Sequence, residues 1–285
     1  MRKYYKILLA TDYSDAVINA ERYAVQFAKN INAIITFFHA YNSPLPPPKI
    51  TMSYEETLQK FKTEEMKKLI QHRNDLFRSL NINHDKLISE CVVKDGSAGN
   101  KICKYAKESN ADFIIIGSHG ESGFRDVLFG SHTWNVIKKS LIPVIIVPKD
   151  ALFTGIKNIV FGTEYREGEI SALNFLAQFS KQLEAELIVL HVTNYVLSKA
   201  FEKEMFEKFK NDIEGKISYK KLKMRLIKND NLIDGLNKFC ENERADLLVM
   251  APEKQILFEK IFLPSASSTR KMSFHSTIPL MTIPD

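Results

Sequence analysis

Short apolar runs alternate with longer stretches of helical period, and this alternation fills the chain of 285 residues. In the first half the continuous runs predict strands near 5–10, 33–39, 88–93, 112–116 and 143–147. Between the first two, Val17, Ala20, Ala24, Phe27 and Ile31 recur at helical spacing behind Ser14, a residue suited to cap a helix. A charge-laced stretch over about 52–80 predicts a second helix. Two more start near Ser97, with Ile102, Cys103 and Ala106, and near Ser131, with Trp134, Val136 and Ile137. Strands and helices that alternate in this way make a doubly wound α/β fold with a five-stranded parallel sheet. The runs FIII (113–116) and VIIV (144–147) carry no polar alternation, which fits burial between helices on both faces.

The pattern then repeats. YKILLATDYSDA (5–16) is echoed by KNIVFGTEYREG (157–168), and AIITFFHAYN (33–42) by ELIVLHVTNY (186–195). ADFIIIGSHG (111–120) is echoed by ADLLVMAPEK (245–254), and IPVIIVP (142–148) by IPLMTIP (278–284). The second half therefore predicts strands near 157–162, 187–192, 222–227, 246–250 and 279–283. Two homologous domains, 1–150 and 151–285, follow from this order. The spacing differs between the second and third pairs of echoes, where the first half carries the extra SPLPPPKI (43–50). No regular helix holds that many prolines. The segment 43–80 reads as having no counterpart in the second half, which makes it the first place to seek a partner surface.

Composition narrows the class. An apolar fraction of 45% and a charged fraction of 26% are those of a soluble globular protein. No run approaches the roughly 18 apolar residues that span a bilayer, and the opening MRKYYKILLATD turns polar too early for a signal-peptide core. A cytoplasmic location without membrane association is the expectation. Cys91, Cys103 and Cys240 are widely spaced, odd in number and set among apolar neighbours, so small core residues are expected rather than a disulfide framework or metal site. The net charge of +6 invites a nucleic-acid reading. Its lysines are interleaved with Glu and Asp, however, as in FKTEEMKKLI, which marks solvated helix faces. No specific nucleic-acid partner is expected.

In an open parallel sheet, ligands bind beyond the carboxyl ends of the strands, where the strand order reverses. Two strand ends carry chemistry here. Thr11, Asp12, Tyr13 and Ser14 follow the first strand, and GSHGESGFRDVLFGS (117–131) follows the fourth. Gly117, Gly120 and Gly130 with Ser131 form G-x2-G-x9-G-S. Glycines at 117 and 120 let backbone approach a phosphate with no Cβ in the way. Ser131 and the N–H groups after it can meet the outer phosphates at the positive end of a helix. Asp12 can accept hydrogen bonds from ribose hydroxyls. A glycine-rich turn with Ser131 as a plain helix cap fits the same residues. His39 and His191 recur at the same strand end in both halves, which points to a structural role. No GxxxxGK[ST] and no GxGxxG followed by an acidic residue is present, which excludes P-loop hydrolases and the usual dinucleotide sites.

LLATDYSD, VKDGSAGNKICKYAKESNADFIIIGSHG and G-x2-G-x9-G-S followed by NVIKKSLIPVIIVP together resemble the universal stress protein family, in its tandem-domain form. The resemblance covers nearly all of both halves apart from 43–80. It implies two tandem Rossmann-like domains of the adenine nucleotide alpha hydrolase-like type, and an adenine nucleotide as ligand. ATP is the expected cofactor, and a Mg²⁺ ion can arrive with the triphosphate. On this resemblance Asp12 contacts the ribose, backbone at Ala40 and Ile116 lies near adenine, and Ala10, Thr11 and Thr133 also belong to the ATP site. Gly117, Gly120, Gly130, Ser131 and His132 then surround the phosphates. Family members pair through their last strand, which implies a homodimer or pairing of the two domains within one chain. The second half departs from the motif: Ala251, Lys254 and Pro264 stand for the three glycines and Glu164 for Asp12. An ATP cradle is therefore expected in the first domain, with the second kept for pairing and stability. The implied function is a nucleotide-dependent sensor or switch in stress response. The rivals are a slow ATP hydrolase or phosphotransferase at the same site, and a partner-binding module that uses no nucleotide.

Overall fold

The computed structural model describes residues 4–43, 53–118, 131–193, 199–251 and 278–284. The chain divides into two compact units, Met1–Phe153 and Thr154–Asp285. In the first, β1 (Lys6–Thr11), β2 (Ile34–Tyr41), β3 (Ser89–Asp95), β4 (Phe113–Gly117) and β5 (Val144–Val147) lie in the order β3-β2-β1-β4-β5. Every pairing between these neighbours is parallel. Each strand falls within two residues of an apolar run, because the runs are what the sheet buries. Ile7, Leu8, Leu9, Phe113, Ile114 and Ile115 are all at most 1% exposed.

This order positions the site. The chain winds outward from β1 to β3, then returns to lay β4 on the other side of β1. Because parallel crossovers are right-handed, the reversal puts the first two helices on one face and the next two on the other. On the first face α1 (Asp15–Asn30) and α2 (Tyr54–Ser79) meet where His72 approaches Glu21. On the second, α3 (Ala98–Glu108) and α4 (Ser131–Lys139) meet where Gly99 faces Asn135. Val17, Ala20, Ala24 and Phe27 form the buried stripe of α1, as their spacing predicts. Ser14 does precede α1, but its hydroxyl bonds Asp12 Oδ1 at 2.6 Å instead of capping the helix. A reciprocal capping box between Ser53 and Glu56 opens α2.

The second unit repeats the plan with β6 (Asn158–Gly162), α5 (Glu169–Leu183), β7 (Glu186–Thr193), α6 (Lys199–Lys216), β8 (Leu222–Lys228), α7 (Leu232–Asn242), β9 (Leu247–Met250) and β10 (Leu280–Thr282). Its strands run β10-β9-β6-β7-β8, again all parallel. Counted from each unit's own first strand, the order is the same third-second-first-fourth-fifth. One expectation needs correcting. The helical part of 43–80 does have a counterpart, because α6 fills the slot between second and third strands that α2 fills in the first unit. The sequences hide this because both helices bury little: Glu65, Leu69, Leu76 and Phe77 on α2, and Phe209 and Ile213 on α6. Their solvated faces are free to diverge. Residues 44–52, which hold most of the proline-rich stretch, lie outside the described residues. Among the described residues, no helix is long and apolar enough to cross a membrane.

Candidate functional site

The carboxyl end of β1 is held by a short polar chain. Thr11, 7% exposed, donates its hydroxyl to Glu21, which is wholly buried on α1. The Nε2 of His72, from α2, lies 2.8 and 2.9 Å from the two oxygens of that carboxyl group. The chain then turns sharply at Tyr13, whose φ is 65°, and the Tyr13 ring lies over His39 with centroids 4.3 Å apart. His39 Nδ1 sits 2.8 Å from the Thr11 carbonyl, so this nitrogen carries the proton, and Nε2 faces Glu65 at 3.7 Å. Burial and the nearby Glu65 push the Tyr13 phenol well above its ordinary range. Asp12 follows Thr11 at the rim and accepts from both the N–H and the hydroxyl of Ser14.

Beside this turn lies a cavity of about 650 Å³ over the ends of β1, β2 and β4. That volume falls in the range of small-molecule pockets. Ala10, Thr11, Asp12, Ala40, Ile116, Gly117, Ser131, His132 and Thr133 all line it. The structure thus brings together every described residue singled out by motif and resemblance. Gly120 and Gly130, together with His119, lie outside the described residues. The two ends of the glycine stretch are tied across the cavity wall, with Thr133 Oγ1 donating to the Gly117 carbonyl at 3.0 Å.

The sequence reading missed a second wall, made by Val17, Phe38, His39, Asn42, Gly96, Ser97, Ala98 and Ile102. Its signal was present in GSAG (96–99), a run of small residues between a strand and a helix. Gly96 has φ +117°, a conformation that side chains rarely adopt, and turns β3 into α3. Two helix starts, Ser97–Ala98 on α3 and Ser131–Thr133 on α4, therefore border one cavity. Their positive ends favour an anion there. The two helices approach closely because Gly99 lacks a side chain: a Cβ there would lie 2.8 Å from Asn135 Cβ. Replacing Gly99 with Ala should force α3 and α4 apart and cost about 1–3 kcal/mol. Urea unfolding of the variant checks this, with an unchanged midpoint as the contrary result.

The second unit holds the same crevice in closed form. Thr163, Tyr165 and His191 reproduce Thr11, Tyr13 and His39. Tyr165 has φ 63°, its ring stacks on His191 at 4.1 Å, and His191 Nδ1 is 2.8 Å from the Thr163 carbonyl. The space lined by Gly162, Thr163, Glu164, Arg166, Glu169, Leu190, Val192, Leu232, Leu236, Met250 and Ala251 has shrunk to about 20 Å³. Arg166 reaches across it to the Ala251 carbonyl, and its Nη2 is 3.1 Å from buried Glu169. Outside this plug, a hollow of about 310 Å³ remains at the ends of β7 and β8, where Glu164, Glu202 and Asp230 supply three carboxylates. That charge disfavours a nucleotide phosphate.

The three cysteines are free thiols. Cys240 is buried, and burial pushes its thiol up to about 12 and that of half-buried Cys103 up to about 11. Thiols so hard to ionise are poor nucleophiles.

Comparison with known proteins adds sequence and fold relationships to this geometry. The model of the universal stress protein family matches residues 3–148. The universal stress protein MJ0531 of Methanocaldococcus jannaschii is 29% identical over 156 residues, which cover 51% of this chain and 83% of its own. MJ0577, a universal stress protein of the same organism, is 26% identical over 156 residues, covering 51% and 96%. Both halves find their likeness in a crystal structure of a universal stress protein from Archaeoglobus fulgidus. The match covers 98% of this chain and 96% of that one, with a TM-score of 0.64. At 17% identity, this is a likeness of fold.

Proposed function

The chain belongs to the universal stress protein family, and on that premise we propose that its first unit binds ATP and acts as a nucleotide-dependent sensor or switch in stress adaptation. The observation that carries this reading is the cavity of about 650 Å³ at the strand-order reversal, lined by every described residue of the motif. Asp12 takes the ribose hydroxyls, and adenine lies against Ala40 and Ile116. The phosphates run toward Gly117, the helix start at Ser131–Thr133, and the motif glycines Gly120 and Gly130. A Mg²⁺ ion can travel with the triphosphate.

A switch fits this site better than a fast enzyme. The described lining contains neither lysine nor arginine to draw charge from a transferring phosphoryl group. Backbone donors and helix ends hold a ligand without driving its chemistry. The second unit, with its crevice closed, supplies no second ATP site, and the cytoplasm is the place where such a sensor meets its ligand.

Calorimetric titration of the purified full chain, after stripping and identifying any nucleotide it carries, tests the proposal. One ATP per chain is expected, and Asp12→Ala should weaken it about 10-fold to 100-fold, the worth of hydrogen bonds to a charged acceptor. An absence of binding at millimolar ATP would sink the reading.

A further inference from the structure

We propose that three side-chain positions decide whether the crevice of each repeat is open: Ser14, Ala40 and Ala98 hold it open in the first unit, and Arg166, Val192 and Leu232 close it in the second. This deepens the ATP reading and rests on it for the identity of the ligand. The glycine motif alone would place the difference between the units in the phosphate loop. The structure places it also in the floor and walls, at the turn after the first strand, on the second strand and at the start of the third helix.

The equivalences follow from elements that superimpose in register. His39 pairs with Val93 across β2 and β3, and His191 with Leu226 across β7 and β8, in the same setting beside the first strand. That alignment puts Val192 where Ala40 stands, and Arg166 where Ser14 stands. The helices α3 and α7 are each 11 residues long, and their N-caps, Ser97 and Asn231, put Leu232 at the place of Ala98. All lining residues of the closed crevice except Arg166 have an equivalent that lines the open one. It is therefore the same cavity, filled in the second unit over β6 and β9, while the hollow of about 310 Å³ that shares Thr163, Glu164, Val192 and Leu232 is what remains of it.

The plug is built and braced. Arg166 Nε and Nη2 lie 3.2 and 3.1 Å from Glu169 Oε1, and its guanidinium also donates to Ala251 O, so its charge is matched in place. Glu169 itself is 1% exposed and stands where the first unit has Val17. Val192 is pressed against α7, its Cγ1 only 2.7 Å from the point where a Cβ on Gly235 would sit. In the first unit Ser14 turns its short side chain back to Asp12 instead, and two alanines leave the wall bare.

The test puts the second unit's residues into the first. In the full-length chain, the double variant Ala40→Val, Ala98→Leu carries the second unit's wall residues, and a thermal melt establishes that it folds, because α3 has Lys101 where α7 has the Gly235 that makes room for Val192. Its affinities for ATP and for adenosine, measured by calorimetry, should fall together by about 100-fold or more, because a filled wall excludes the nucleoside that both share. Retention of ATP affinity within threefold of wild type overturns the proposal. So does loss of ATP with adenosine retained, which would place the defect in phosphate binding alone. If the double variant unfolds, Ala98→Leu by itself carries the same comparison. If the wild-type chain binds neither ligand, the ATP reading fails by itself. A crystal structure of the variant then decides the gating, with a closed crevice expected and an unchanged one contrary.

Discussion

Gly120→Lys should weaken ATP binding by about 100-fold while leaving the melting temperature of the chain close to wild type. On the proposed ATP reading Gly120 stands where backbone meets phosphate, and a lysine side chain there would remove the room for that approach. Each charged hydrogen bond lost is worth about 1.5–3 kcal/mol, so one or two account for the loss. The stability side of the expectation comes from the repeat. At the equivalent positions the second half carries Lys254 and Pro264, and its sheet still assembles in the same order. Gly130→Pro, which removes an N–H donor at the start of α4, should behave likewise. Titration with ATP beside a thermal melt checks both halves. A variant that loses its fold along with its ligand would show that the stretch is structural after all. Adenosine separates this defect from the gating one, since it has no phosphate to lose.

The second large effect concerns stability and pH. His72→Leu should destabilise the first unit by about 2 kcal/mol at pH 6, because it leaves buried Glu21 with the Thr11 hydroxyl and no cationic partner. The figure stands below that of a fully buried pair because the His72 side chain is 23% exposed. The hydrogen bond to Glu21 raises the His72 pKa above its ordinary 6.5, against the opposing pull of burial, with Asp75 one turn along α2 adding to the rise. Tyr13 meets the same ring edge-on at 5.3 Å and brings no charge. A raised folded-state pKa sets the sign. The contribution is fully present below pH 6.5 and is lost as pH climbs through the folded value. Wild type should thus lose stability on going from pH 6 to pH 8.5, and His72→Leu should flatten that slope. The second unit meets its own buried acid, Glu169, with the guanidinium of Arg166 in place of an imidazole. Chemical unfolding at the two pH values reads the difference. Equal slopes for the two proteins would exclude His72 as its source.

Much of this molecule was legible before any coordinates. The strands sit where the apolar runs sit, because a sheet covered on both faces demands unbroken apolar stretches, and FIII and VIIV have nothing else to offer. The helical stripe of Val17, Ala20, Ala24 and Phe27 was equally plain. Thr11, Asp12, Gly117 and Ser131 could be marked as neighbours in space only on the premise that the first and fourth strands are adjacent, and the structure supplies that pairing. The partnership of α2 with α6 escaped notice because solvated helix faces need no particular residues. Nothing in the chain announces His72 as the partner of Glu21 either: they are 51 positions apart and join only when two helices share a sheet face.

The sequence by itself therefore determined the duplicated α/β plan, the strand ends where polar and glycine residues gather, and the loss of glycines in the second copy. Those are properties of single residues and of their local period. Only the tertiary structure decided that one crevice is open and the other closed. Free volume belongs to no residue. It is what remains after side chains from β1, β2, β4, α1 and α3 have been packed around one point, and Ala98 or Leu232 acquires its meaning there and nowhere along the chain.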